Sequence, residues 1–430
     1  MKIAIIGSGI SGLLTARLLS SEHDIHVFEA NDYAGGHANT VSFDAFDNTY
    51  SVDTGFMVFN DHTYPNFLRM LELLKVSARN SDMSFSVHSD LTGLEYQSNS
   101  INGVFAQRRN LLRPSFYKML LEITRFNRKS RELLESDDYE LELGEYLQRN
   151  GYSRNFIDEY FVPMGASIWS ATPERFLHFS AKFIVSFLDN HGLLQVRDHF
   201  QWKTVQGGSI RYVQALSRPF ADRIRLNCPV LSVERRSDCV AVTSKESQSE
   251  EFDAVVMAAH SDQTLNMLTD ASDAERKILG DLPYQRNETT LHYDASLMPH
   301  IRRAWASWNY RITANTEEPV VLTYDLNRLQ GHVSPEPICV TLNGLPSIDE
   351  KKTIKNIEYH HPVFTREAIA AQKEWNEING TNRTYFCGAY WGHGFHEDGV
   401  NSALAVAECF GKDLESCTAD CIMDASNMDA

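Results

Sequence analysis

The stretch Ile3-Ala4-Ile5-Ile6-Gly7-Ser8-Gly9-Ile10-Ser11-Gly12 decides the fold. Its first four residues are continuously apolar, as in a central parallel strand buried on both faces. The next six read G-x-G-x-x-G. A helical run follows, carrying Leu13, Leu14, Ala16, Leu18 and Leu19, and then a second strand, Ile25-His26-Val27-Phe28, that ends at Glu29-Ala30. Gly7 permits the tight turn, Gly9 lets the backbone approach a pyrophosphate, and Gly12 lets helix and strand pack closely. Ile10 and Ser11 open the helix, where free N–H groups and the positive dipole end suit a phosphate. Glu29 can accept hydrogen bonds from ribose hydroxyls and repels a 2′-phosphate. A lone G-x-G-x-x-G is weak. The strand before it, the helix after it and the acid 17 residues past Gly12 make it a dinucleotide-binding start. The expected fold class is α/β with a Rossmann-like parallel sheet.

The chain has 430 residues, enough for two or three domains at roughly 150 residues each. Hydrophobic residues are 43% and charged residues 23%, the balance of a soluble globular protein rather than a disordered or collagen-like one. Lys+Arg 40 against Asp+Glu 57 gives a formal charge of −17. Nucleic acid is thereby excluded as the main partner, since phosphate binding needs a basic surface. No apolar run approaches the roughly 20 residues of a membrane helix. A strand and a glycine turn begin at once where a secretory leader would stand, so a cytoplasmic location is expected. The seven cysteines form no C-x-x-C pair and are expected as reduced, structural thiols, with Cys417 and Cys421 in a polar tail.

Past Glu29, Gly35-Gly36-His37-Ala38-Asn39-Thr40 and Asp53-Thr54-Gly55-Phe56 follow closely. These motifs resemble the FAD-binding start of the flavin amine oxidase superfamily. That group includes amine oxidases, protoporphyrinogen oxidase, carotenoid desaturases and a fatty-acid double-bond isomerase. Its usual second motif is R-x-G-G-R; here the glycine pair stands, while Tyr33 and His37 replace the two arginines. The resemblance implies FAD as cofactor, with Gly35, Gly36 and His37 running under the ribityl-diphosphate. It also implies that the backbone of Gly55-Phe56-Met57-Val58 meets the flavin near N5 and O4. Val230, in the strand Pro229 to Val233, would hold the adenine, and the strand from Phe252 to His260, with Ala259, would re-enter the cofactor domain. The segment from Tyr385 to Gly399, with the helix from Val400, resembles the family's C-terminal flavin motif. Gly388, Phe395, Asp398, Gly399 and Val400 are the expected contacts there, and Ala389 stands where the family has an acid. No second G-x-G-x-x-G follows a strand, which argues against a two-nucleotide reductase. The FAD-binding domain is then discontinuous, 1–75, 205–270 and 380–412. Residues 76–204 and 271–379 build an α+β substrate domain, and 413–430 a flexible tail.

A flavin carries the redox step itself, so the protein has to place a C–H bond over the ring and exclude water. Tyr390 and Trp391 are candidate catalytic walls of the substrate channel, with plain packing as the competing reading. His393 and His396 are candidates for flavin tuning or proton transfer, because histidine titrates near neutrality. As an H-x-x-H pair interrupted by glycines and lacking further ligands they are not read as a metal site, and no metal is expected. His191, in an Asn-His-Gly turn, and Tyr64 are further cavity candidates. Amine oxidases usually keep a lysine near N5; the equivalent stretch here, Leu282 to Asn287, offers Arg286 and no lysine.

The combination of Gly35-Gly36-His37, Asp189 to Leu194, Gly207-Gly208-Ser209 and Gly394 to Gly399 resembles a narrower group of bacterial NAD/FAD-binding or amine-oxidase-like proteins. That group often keeps company with cyclopropane-fatty-acid-synthase-like methyltransferases, which implies acyl-chain chemistry and a methyltransferase partner. The expected function is an FAD-dependent oxidoreductase taking hydride to flavin N5 from an apolar, unsaturated or methylated fatty-acyl substrate, as a desaturase or double-bond isomerase. The alternatives are a flavin amine oxidase that makes peroxide and a non-catalytic FAD-holding partner that presents a lipid. Residues 108–131 hold eight basic side chains against the single acid Glu122, interleaved with Phe116, Met119, Leu120, Ile123 and Phe126 at helical spacing; seven acids follow in 132–145. This segment reads either as a solvated helix whose charges are met by those acids or as a peripheral contact with an anionic membrane.

Overall fold

The computed structural model describes residues 1–136, 138–195, 200–245, 248–313 and 320–418. The N-terminal apolar run is strand β1 (Lys2–Ile6), the glycine turn leads into helix α1 (Ile10–Leu19), and the chain returns in β2 (Asp24–Phe28). Strands β3 (Ile224–Arg225), β4 (Ala254–Met257) and β5 (Thr384–Phe386) complete a five-stranded sheet of order β3-β2-β1-β4-β5. Every pairing in it is parallel, and this is the order of a doubly wound dinucleotide-binding sheet. Successive strand side chains point to opposite faces. Ile3 and Ile5 therefore pack with α1, while Ala4 and Ile6 pack with Val233, Val240 and Ile278 on the other side. Helix α1 is buried all round, and its Leu13, Leu14, Leu18 and Leu19 contribute roughly 1.5–3 kcal/mol each. Gly12 makes this approach possible: a Cβ there would lie 2.0 Å from the Gly7 carbonyl oxygen.

A three-stranded antiparallel flap, Val230–Arg235, Val240–Ser244 and Glu250–Phe252, packs over the second face. Arg235 pins it to the rest of the domain. Its guanidinium is 2% exposed, donates to both oxygens of the fully buried Glu275 at 2.7 and 2.9 Å, and reaches Asp270 at 2.7 Å and Thr384 at 3.5 Å.

The other half of the molecule is built on a seven-stranded sheet. Its spatial order is Thr353–Pro362, Tyr284–His292, Cys339–Leu342, Val321–Asp325, Trp308–Ile312, Phe85–Ser89 and Glu95–Gln97. A helical layer packs against it. Helices α2 (Pro114–Lys129) and α3 (Ala181–Asn190) place Phe116, Met119, Phe126, Ile184 and Phe187 in one core with Val87, Tyr310 and Leu322 of the sheet. A small sheet of Phe59–Asn60, Trp202–Val205 and Ala78–Asn80 joins the two halves.

The chain ends its path in α4 (His396–Glu408), laid on α1. Ser11 Oγ donates to the Gly399 carbonyl at 2.9 Å, and a Cβ on Gly399 would lie 2.7 Å from Ile10 Cγ2. Gly399 thus sets the α1–α4 spacing. Gly399→Ala is expected to lose about 1–3 kcal/mol by overpacking while keeping its cofactor; a lowered thermal midpoint with unchanged visible absorbance checks it. Of the segment expected as a loose tail, Leu414–Thr418 forms a 3₁₀ turn with Leu414 and Cys417 buried, and Arg17 donates to the Cys417 carbonyl at 2.7 Å. Residues 419–430, with Cys421, lie outside the described residues.

Candidate active site

The carboxyl ends of β1, β2 and β4 open onto a cavity of about 1670 Å³, larger than the roughly 300–1,000 Å³ of ordinary ligand pockets. It runs from the glycine turn to the inner face of α2, where Leu120, Ile123, Thr124 and Asn127 line it. At the glycine turn the wall is backbone. Gly9 caps α1 with no side chain, and a Cβ placed on it would meet nothing within 4 Å, so the space beside it belongs to the cavity. Gly35 and Gly36 hold φ of 126° and 59°, a left-handed backbone that favours glycine, and bring the second loop against the first. Glu29 is 6% exposed; one oxygen accepts from Ser8 N and Oγ at 2.9 and 2.5 Å, the other from Asn31 N and Nδ2 at 2.9 Å each.

Of the residues expected to hold the cofactor, Gly7, Gly9, Ile10, Ser11, Glu29, Ala30, Gly35, Gly36, His37, Gly55, Phe56, Met57, Val58, Val230, Ala259, Gly388 and Phe395 line the cavity. Gly12, Asp398, Gly399 and Val400 are outside its wall. The first, third and fourth of these are buried in the packing around α1 and α4. Asp398 instead closes the first turn of α4: it accepts the Phe395 N–H at 2.8 Å, and burial pushes its carboxyl up to about 6.

Among the catalytic candidates, Tyr390, His393 and His396 line the cavity and Trp391 does not. Trp391 packs ring to ring with Tyr390 at 5.0 Å. His396 is fixed from two sides, with its Nε2 2.7 Å from the Tyr212 hydroxyl and its ring stacked on Phe56 at 3.5 Å. Burial, reinforced by His37, holds it well below the usual histidine range, so it is neutral. His393 stacks on Phe183 at 5.1 Å. His191 also lines the cavity; its Nδ1 lies 3.0 Å from the Phe187 carbonyl, which only accepts, so Nδ1 carries the proton and Nε2 the lone pair. Tyr64 lies in the wall as well.

Three lining histidines, His260, His360 and His361, were not among the candidate site residues. His260 follows the end of β4, the position where open α/β sheets bind ligands, and that signal was readable. His360 and His361 end the strand Thr353–Pro362, and only its pairing with Tyr284–His292 carries them to the cavity. Rings of His37 and His361 are 5.4 Å apart, and those of His260 and His360 5.7 Å. Burial pushes His37 and His260 down to about 4 and His361 to about 3. Among the described residues seven histidines line the cavity, and none of the lining residues is Lys or Arg. Arg286 lies outside the wall, 58% exposed, and pairs with Glu358 at 2.5 Å and Glu288 at 3.4 Å. The open approach at Gly9, the α1 N-terminus, the Glu29 carboxylate and the unpartnered, buried His37 Nε2 and His260 Nδ1 fit the phosphates and ribose of a dinucleotide.

Residues 10–284 match the family model of flavin-containing amine oxidoreductases, and the chain belongs to that family. Among curated proteins it is similar to a 4,4′-diapophytoene desaturase (4,4′-diaponeurosporene-forming) of Staphylococcus aureus, 30% identical over 114 residues. That alignment spans 24% of this chain and only 22% of the desaturase. Among solved structures it is similar to cyclohexylamine oxidase from Brevibacterium oxydans, with 14% identity, 95% of this chain and 99% of that chain covered and a TM-score of 0.66. It is similar too to a CLA-producing fatty acid isomerase from P. acnes, with 16% identity, 95% and 98% coverage and a TM-score of 0.65. At these identities the structural likenesses establish the fold.

Proposed function

We propose that the chain is an FAD-dependent oxidoreductase acting on an apolar acyl chain, as a desaturase or a double-bond isomerase. The observation that carries this reading is the wall beyond the dinucleotide end. It is mainly apolar, with Met83, Leu120, Ile123, Met164, Leu193 and Trp202, and among the described residues it contains no Lys or Arg. Apart from Glu29 at the dinucleotide end, the carboxylates that line the cavity among the described residues are paired, Asp82 with Arg328 at 3.4 Å and Glu358 with Arg286. Neither of these two is free to receive a substrate ammonium, and burying one unpaired is costly. A fatty acid isomerase among the similar structures supports the acyl reading, and a 4,4′-diapophytoene desaturase among the similar proteins supports desaturation of an apolar chain.

When bound, FAD would supply a hydride acceptor: in a desaturase the chain would lose a hydride and, from the neighbouring carbon, a proton, and a double bond would form; in an isomerase the chain would keep its protons, and a hydride lost from an allylic carbon would be returned to another carbon of the same allyl system. The protein's part is to bind and orient. The α1 N-terminus and Glu29 would hold the ADP-ribose, the apolar wall would hold the chain and exclude water, and His191 Nε2 offers a neutral base at the cavity wall. In the desaturase case an external acceptor, oxygen or a quinone, must reoxidise the cofactor; the isomerase needs none.

The test is anaerobic. Cis-unsaturated acyl lipid should either bleach the flavin, with product lighter by two hydrogens, or leave product of unchanged mass with a moved double bond. Putrescine and cyclohexylamine should leave the spectrum unchanged. Bleaching by an amine, with peroxide on readmission of air and no change in any acyl lipid, would overturn the reading.

A further inference from the structure

The basic segment 108–131 lies on the outside of the wall whose inside lines the cavity. Ten large hydrophobic side chains are exposed among the described residues, and Ile101, Leu111, Leu112, Tyr117 and Leu121 supply half of them. Leu112 is 88% exposed, Ile101 83% and Leu121 72%. A sixth, Leu91, sits in a turn bound to the same segment, where Gln107 and Arg109 both donate to the Gly93 carbonyl at 2.6 and 2.5 Å. Such clustering marks an interaction surface rather than the scattered apolar exposure of any protein. Helical spacing places Tyr117, Lys118, Leu121, Arg125 and Arg128 along one face of α2, and the Tyr117 hydroxyl donates back to the Leu111 carbonyl at 3.1 Å.

The charges on this surface are unanswered. Among the described residues only Arg131 of the eight basic side chains is ion-paired, with Asp189 at 3.3 Å. Four of the seven acids that follow in sequence are occupied elsewhere. Glu140 and Glu142 pair with Arg366, Glu145 with Arg149, and Glu132 accepts from the Tyr146 hydroxyl. Glu122 is buried and accepts from Ser153. Arg302 and Arg303, also exposed, lie beside the same segment, Arg303 donating to the Ala106 carbonyl at 3.4 Å. Basic side chains without acidic partners, interleaved with protruding leucines on a protein of net charge −17, complement an anionic bilayer: lipid phosphates answer the charges and the acyl region takes the leucines. The cavity reaches this surface, since Thr124, Ser98 and Asn99 are lining residues and exposed.

We infer that α2 and the preceding turn, residues 101–129, dock on an anionic membrane surface and open the cavity toward phospholipid acyl chains. The second half of this statement rests on the acyl reading above; the docking is measured without turnover, so either can fail alone. The experiment is co-sedimentation of the full chain with vesicles of equal parts phosphatidylglycerol and phosphatidylcholine. Wild type should pellet at about 0.1 M salt and be released at about 1 M, where the screening length shrinks to about 3 Å. Pure phosphatidylcholine vesicles should not pellet it. Each basic residue near such a surface gives roughly a five-fold gain in partitioning, so a Lys118→Glu, Arg128→Glu, Lys129→Glu variant should bind at least about 100-fold more weakly. Arg125 is left intact because it donates to the Asn150 carbonyl and lies over the Tyr152 ring at 4.7 Å. A Leu112→Ser, Leu121→Ser variant should weaken binding to the same vesicles with its charge unaltered. A control of equal charge change on other surfaces, Lys245→Glu, Arg276→Glu, Lys355→Glu, should bind as wild type does. Wild type that ignores the anionic vesicles at low salt, or a control that loses binding equally, would overturn the inference.

Discussion

Gly9→Val should give folded, colourless protein. The backbone at Gly9, φ −67° and ψ 179°, is open to valine, and a Cβ there meets nothing within 4 Å. Nothing in the folded chain resists the substitution. The added methyls project into the cavity at the α1 N-terminus, where a pyrophosphate would lie against bare backbone. At least about 100-fold weaker flavin binding is expected, roughly 3 kcal/mol, with the circular dichroism of wild type. Gly12→Val is the contrast: its side chain would strike the Gly7 carbonyl, so it should fail to fold. Full flavin occupancy in Gly9→Val would show that the glycine turn does not hold the cofactor.

The second large effect is on stability. Glu275→Gln leaves the Arg235 guanidinium, 2% exposed, without its bidentate partner. Breaking one side of a buried pair costs about 3–5 kcal/mol, and glutamine still suits the capping box with Ser272, so the loss reports the ion pair rather than the helix start. Burial alone would raise the Glu275 carboxyl, but Arg235 and Ser272 outweigh it and hold it below its ordinary value. A carboxyl with a lowered folded pKa contributes stability that is present above about 4.3 and is lost as pH falls through the folded value. Urea unfolding should therefore show the wild-type advantage in full at pH 7 and a smaller one in acid. An equal difference at both would mean that the pair contributes no pH-dependent stability.

The cofactor half of the fold was legible because its signals are local. Gly7, Gly9 and Gly12 need no partner to be read, and Ile3 to Ile6 announce a strand buried on both faces. Asp398 was misplaced because an acid in a glycine-rich motif suggests a ligand contact, yet three residues past Phe395 it stands where a helix N-terminus takes an acid to bond its own backbone. Trp391 and Tyr390 are adjacent, and sequence has no means of saying which ring faces the cavity. His361 was out of reach: its place depends on antiparallel pairing with Tyr284–His292, a strand that begins about 70 residues earlier in the chain. The outer face of α2 was readable as basic and amphipathic, but the engagement of the neighbouring acids with Arg366 and Arg149 was not.

The parallel sheet also imposes a timetable. β1 leaves the ribosome well before its neighbour β4, which is made about 250 residues later. At roughly 5–20 residues per second, the edge of β1 waits for tens of seconds before its partner exists. The cavity wall from Gly388 to His396 is synthesised only when about nine-tenths of the 430 residues are made. Cofactor capture thus follows synthesis of the segment from Gly388 to His396, and until β4 is made the nascent protein carries an open, apolar strand edge. Slower growth temperatures and chaperone supply should accordingly raise the yield of the wild-type protein more than an excess of riboflavin does.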